Sequence, residues 1–268
     1  MDNNEFDYIS KINWANFHIQ QLDRAIQNWF KDGGKFTHEI IPNPEEQNTV
    51  LLRVSADIIP TSPLSLVVGD IIQNIRSSLD HAVYQLGESS GHEDFAKNSH
   101  RSQFPIFGNL SNRGDKIVGA DKFQENGIND TIKYLSPSAQ DIIESVQPFK
   151  DGDKFSEHPL WLLNKLSNLD KHRCLHGGVA YAGSYTIRGC HVSGNFTTRP
   201  ILVDKETTVT KLGSLVPINP NDSLVDLVTP KMTVCFKDEP FSQMIITDTL
   251  SKICLFVSSK VLEPLHNI

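Results

Sequence analysis

Two hydrophobic periods run along the chain. From about residue 5 to 31, Ile12, Ala15, Ile19, Leu22, Ile26 and Trp29 recur at steps of three and four, which predicts a long helix with one apolar seam. Gly33-Gly34 supplies its stop signal. The period then drops to two. Phe36, His38 and Ile40, and later Val50, Leu52, Val54 and Ala56, alternate with polar neighbours around the turn-rich PNPEEQN. That predicts a β-hairpin over about 35–59.

The helical period returns over about 63–87, with Ser62 as the expected N-cap and Pro63 in the first turn. Val68, Ile71, Ile72, Ile75, Leu79, Ala82, Val83 and Leu86 make one broad apolar arc, so this helix faces a core. A polar stripe of Asp70, Asn74, Ser77, Ser78, His81 and Gln85 runs beside it. Arg76 and Asp80 stand between the two, at ion-pair spacing.

Residues 88–130 are rich in Gly, Ser, Asn and Asp, and read as a long, partly ordered excursion pinned by Phe104-Pro105-Ile106-Phe107. Ser136-Pro137 opens a short helix to about 147, stopped by Pro148. Another helix follows over 159–175, with Leu162, Leu166 and Leu169 as its core face. From 177 to 237, Thr, Val and aromatic residues punctuated by Gly and Pro predict antiparallel strands in one sheet with the early hairpin, Met232, Val234 and Phe236 alternating inward. A last helix over 242–262 carries Ile246, Leu250, Ile253, Val257 and Val261, and Pro264 ends it. The fold class is therefore α+β: a bundle of about four principal helices with a β-rich antiparallel insertion, in a single domain of 268 residues.

Composition narrows the function. A net charge of −7 argues against a protein that coats nucleic acid, though not against a local basic site. Four scattered cysteines without a CxxC fit a reducing compartment. The acidic, polar start MDNNEFDYIS is not a signal peptide, and no apolar run is long enough to span a membrane. A cytoplasmic protein is expected. Trp14, Trp29 and Trp161 read as packing anchors.

Three constellations carry candidate chemistry. In the first, Arg76 and His81 sit roughly 140° apart around one helix and straddle a cleft. His81 can move a proton near neutral pH, and Arg76 can hold a scissile phosphate, which suits RNA cleavage without a metal. The competing reading is an Arg76–Asp80 ion pair beside a satisfied histidine. In the second, Asp170 and Arg173 lie on the leucine face of their helix, with Lys171 and His172 on the other side. They can join Asn74, Arg76, Asp80 and His81 in a polar cluster, either supporting a phosphate site or fixing helix register. In the third, His172 and His176, with Asp70, Asp80 or His81, offer a metal alternative, but no HExxH or paired ExxH motif accompanies them. No cofactor and no metal are assigned. The chain lacks GxxxxGK[ST], GxGxxG and GxSxG.

A helical bundle with R-x4-H on a core helix resembles the HEPN superfamily (higher eukaryote and prokaryote nucleotide-binding). The match covers mainly residues 60–90, and Ser77 follows the arginine where the family often has Asn, Asp or His. The resemblance implies a metal-independent ribonuclease, a toxin or phage-defence effector, working as a homodimer whose two motifs share a cleft. Arg76 and His81 would be catalytic, with Asn74, Asp80, Asp170, His172 and Arg173 in support. The segments GDIIQNIRSSLDH, FPIF and LNKLSNLDKHR are also similar to a group of bacterial and phage-associated proteins without an assigned activity. The alternative is a non-catalytic module, whose polar helix pair is a structural network or binds a nucleotide or small ligand, and whose β-rich region takes a protein partner.

Overall fold

The apolar periods give the helices nearly where they are expected. The computed structural model of the chain describes residues 7–32, 36–42, 44–45, 50–56, 61–95, 103–108, 119–172, 175, 177–181, 184–189, 192–197, 201–203, 208–211 and 232–268. The Gly33-Gly34 stop lies outside them, as do Arg173 and His176. Helices α1 (Asp7–Asp32) and α2 (Thr61–Ser89) flank the hairpin of β1 (Phe36–Pro42) and β2 (Val50–Ala56). Ser62 lies inside the first turn of α2, because that helix begins at Thr61. The chain divides into two compact units. One comprises Met1–Gln20, Leu66–Cys174 and Thr249–Ile268, and the other Gln21–Ser65 and Leu175–Asp248.

The first unit is helical, and α2 supplies much of its interior. Val68, Ile71, Ile72, Ile75, Leu79, Ala82 and Val83 are all buried, as the arc predicts, while Leu86 is half-buried. The excursion at 88–130 contains an element its composition hides. The short helix α3 (Gly119–Lys122) runs into a π-helix over Phe123–Ile132. Then come α4 (Pro137–Ser145), a 3-10 segment at Pro148–Glu157 interrupted at Gly152 (φ 57°), and α5 (Pro159–His172).

Ser136 caps α4, its Oγ accepting from the Ala139 N–H at 3.2 Å. The buried line of α5 is Leu160, Leu163, Leu166 and Ser167, whereas Leu162 and Leu169 are only half-buried. The buried face is rotated from the expected one and shares only Leu166 with it. Trp14 is not a packing anchor. It lies off the Tyr8–Ile12–Ala15–Ile19 seam, 54% exposed, and stacks on Phe17 at the surface.

The last helix, α6 (Ile246–Phe256), passes through a π-helical stretch at Val257–Leu262 into α7 (Glu263–His266). Pro264 therefore does not end it. The Glu263 N–H already reaches back five residues to Ser258 O, and the widened turn takes in a proline that lacks its own N–H.

The second unit carries the strands. β3 (Gly177–Tyr181), β4 (Ser184–Gly189), β5 (Val192–Thr197), β6 (Ile201–Leu202), β7 (Thr208–Lys211) and β8 (Met232–Phe236) do not join the hairpin in one sheet. Only β7 does, giving the order β1-β2-β7, with Phe36 opposite Ala56 and Leu52 opposite Thr210. β6-β3-β8 form a second antiparallel sheet, and β4-β5 a separate hairpin.

β8 also departs from simple alternation. Val234, Cys235 and Phe236 are all buried, because the chain turns back at once. Cys235 bridges to Ile245, and Phe236 exchanges backbone hydrogen bonds with Gln243 and Met244. In the same unit the Ser65 hydroxyl donates to Leu175 O. A Cβ at Gly177 would stand 2.5 Å from Leu64 Cδ2, so glycine leaves room for that side chain against β3.

Candidate functional site

The expected cluster resolves into two separate arrangements in the helical unit. The first is built on α2. Four residues bring Arg76 and Asp80 onto adjacent turns, and their side chains meet at 3.0 Å. The same guanidinium nitrogen, Nη2, donates to the backbone carbonyl of Phe104 at 2.8 Å. Asp80 Oδ1 in turn accepts from the Phe104 N–H at 2.9 Å. Both backbone groups of Phe104 are thus held by one ion pair. The Arg76 side chain is 13% exposed and that of Asp80 30%. Arg76 Nη1 is buried, with no hydrogen-bond partner among the described residues.

A second clamp holds the same FPIF strip, and no sequence motif marks it. Gln147, just beyond α4, is fully buried. Its Oε1 accepts from the Phe107 N–H at 2.9 Å, and its Nε2 donates to Pro105 O at 2.8 Å and to Ile143 O at 3.0 Å. Phe107 O accepts from the Phe149 N–H at 3.2 Å. A glutamine between a helix end and a proline carries no motif. The only signal was the FPIF strip itself, which needs partners for its backbone wherever it is buried.

Three residues of the polar stripe of α2 bond back onto their own helix, while Gln85 Oε1 is buried with no hydrogen-bond partner among the described residues. Asn74 Nδ2 donates to Asp70 O at 2.8 Å, Ser77 Oγ to Asn74 O at 3.3 Å, and Ser78 Oγ to Ile75 O at 2.7 Å. This satisfies the hydroxyls and leaves them little to offer a ligand. His81 is half-buried and makes no hydrogen bond among the described residues.

Asp170 does not join Arg76. It continues the buried line of α5 and lies against the backbone of Gly69, where a Cβ would stand 2.6 Å from Asp170 Oδ1. Burial raises its carboxyl above the usual carboxylate range, and the nearby Asp70 charge raises it further. Asp170 makes no ion pair with a described residue. His172 is exposed at the end of α5. Arg173, the expected partner of Asp170, lies outside the described residues, as does His176 of the metal alternative. Among the described residues no three His, Cys, Asp or Glu side chains converge as a metal site would require. No described helix is long and apolar enough to cross a membrane.

No family model matches the chain, and neither a curated protein nor a solved structure does. The class that the described residues define is an α+β protein with a helical unit and a β-rich unit.

Proposed function

We propose that the chain is a non-catalytic partner-binding module, in which Arg76 and Asp80 are a structural clamp. One observation carries this reading. Arg76 Nη2 is engaged by both Asp80 Oδ1 and Phe104 O, and Nη1 is buried, so neither terminal nitrogen is offered to a phosphate arriving from solvent. A catalytic arginine must instead present its donors to the place where charge develops.

The second reading is a HEPN-like bundle acting as a metal-independent ribonuclease, in which two copies pair their Arg76–His81 helices. His81 supports it, being half-buried and without a competing hydrogen bond among the described residues.

The two readings separate in one experiment. RNA is incubated with wild type and His81→Ala in EDTA, and both are melted alongside Arg76→Ala. The module reading expects no cleavage and matched melts for wild type and His81→Ala. It expects Arg76→Ala to lose about 3 kcal/mol, because Asp80 and the Phe104 carbonyl are left unpaired. Cleavage by wild type that disappears in a well-folded His81→Ala would establish the ribonuclease.

A further inference from the structure

The C-terminal turns of α2 carry an aromatic surface that the clamp does not use. Phe95 forms its base. It is buried at 4% exposure, and its ring lies against Gly87, where a Cβ would collide with it. Two tyrosines rest on that base: Tyr84 with ring centroids 5.6 Å from Phe95, and Tyr134 at 5.9 Å. Tyr84 remains 42% exposed and Tyr134 half-buried. The two tyrosine rings on their shared base make an aromatic surface that a partner's side chain could cover.

Two observations indicate what would. The ammonium of Lys133 sits 4.9 Å from the centroid of the Tyr134 ring, so this surface already holds a cation. The rim is also acidic. Glu88 lies one helical turn from Tyr84, and Glu93 lies in the turn that leads into Phe95. Both are exposed, and neither is in an ion pair with a described residue. An aromatic face flanked by exposed carboxylates attracts a guanidinium or an ammonium and disfavours a phosphate backbone.

We propose that Tyr84 and Tyr134, on their Phe95 base and beside Glu88 and Glu93, form a docking surface for a basic peptide segment of a partner protein, with an Arg or Lys side chain lying over the Tyr84 ring. The inference rests on the module reading and names the partner's chemistry.

The test is fluorescence anisotropy with the full chain and a labelled peptide of four arginines spaced by glycines. A glutamate counterpart and a single-stranded RNA of similar length serve as the other arms. The arginine peptide should bind saturably, and the other two should not. Tyr84→Ala should weaken binding about tenfold and Tyr84→Trp should retain it. The exposed double variant Glu88→Gln/Glu93→Gln, which leaves the core intact, should weaken binding severalfold and flatten its salt dependence. Absence of saturable peptide binding, affinity unchanged in the Tyr84→Ala and double variants, or RNA binding that Tyr84→Ala weakens would each overturn the inference. These failures are distinct from that of the module reading, which only His81-dependent RNA cleavage removes.

Discussion

Gln147 shows what one side chain holds together in this protein. Its amide satisfies the Phe107 N–H and the Pro105 and Ile143 carbonyls at once, from a position with no access to water. Replacing it with leucine roughly keeps the volume and leaves three backbone groups unpaired, the two carbonyls in buried bonds and the Phe107 N–H in a part-buried one. A loss of about 3 kcal/mol is expected in chemical denaturation, each stranded group costing on the order of 1 kcal/mol or more. A variant as stable as wild type would mean that water or another group takes over those bonds. The sequence exposed the Arg76–Asp80 half of the clamps, because i,i+4 spacing on a helix brings two side chains together whatever surrounds them. It hid what they clamp. Phe104 answers with its backbone, which is the same in every residue, from 24 positions away. Gln147 was hidden for the same reason. The expected union of Arg76 with Asp170 failed because α5 turns its buried line to Leu160, Leu163 and Leu166, bringing Asp170 to Gly69.

At the scale of elements, legibility followed period. The 3.6-residue repeat made helices legible from their apolar positions: α1 and α2 lie within two residues of their expected bounds, whereas α6 begins at Ile246, four residues after the expected 242. The π-helix at Phe123–Ile132 was read as loop. Its buried positions, Phe123, Gly127 and Ile132, are spaced by four and then five, a rhythm set by i→i+5 hydrogen bonds that a 3.6-residue search passes over. Its Asn, Gly and Asp content pointed the same way. The sheets were misjudged for another reason. Alternation marks a strand but carries no information about which strand it pairs with.

Caps are more transparent, and α4 gives a prediction at this scale. Ser136→Ala removes the acceptor of the Ala139 N–H while leaving Pro137 to start the helix. It should cost about 1 kcal/mol. Hydrogen exchange at Ala139 should quicken more than exchange at amides of α2. Equal protection before and after the change would show that the cap contributes nothing.

At the scale of the whole molecule, His158 and Asp170 among the described residues bear on stability below neutral pH with opposite sign. His158 sits at the N-cap of α5, its Nδ1 accepting from the Leu160 N–H at 3.1 Å and its ring packed edge-on against Phe256. Burial lowers its pKa below 6.5, with Asp151 opposing. A group depressed in the folded state contributes stability that is complete above the unfolded pKa and is lost as pH falls through the folded one. His158 therefore weakens the protein as pH drops below 6.5. His158→Asn keeps a cap acceptor that does not titrate, and should flatten that slope in thermal melts.

Asp170 works the other way. Its pKa is raised above 3.8 by burial and by Asp70, so its contribution is complete below 3.8 and is lost as pH rises through the folded value. As pH rises toward neutrality this carboxyl therefore becomes a growing cost. Asp170→Asn should then raise Tm at pH 7, and the gain should vanish as pH approaches 3.8. The sequence suggested the opposite sign, with Asp170 held as an anion by Arg173. A lower Tm for Asp170→Asn at pH 7 would favour that pairing and make the end of α5 an ion-pair network. A higher one would make Asp170 a strained acid against Gly69, with no part in holding the fold.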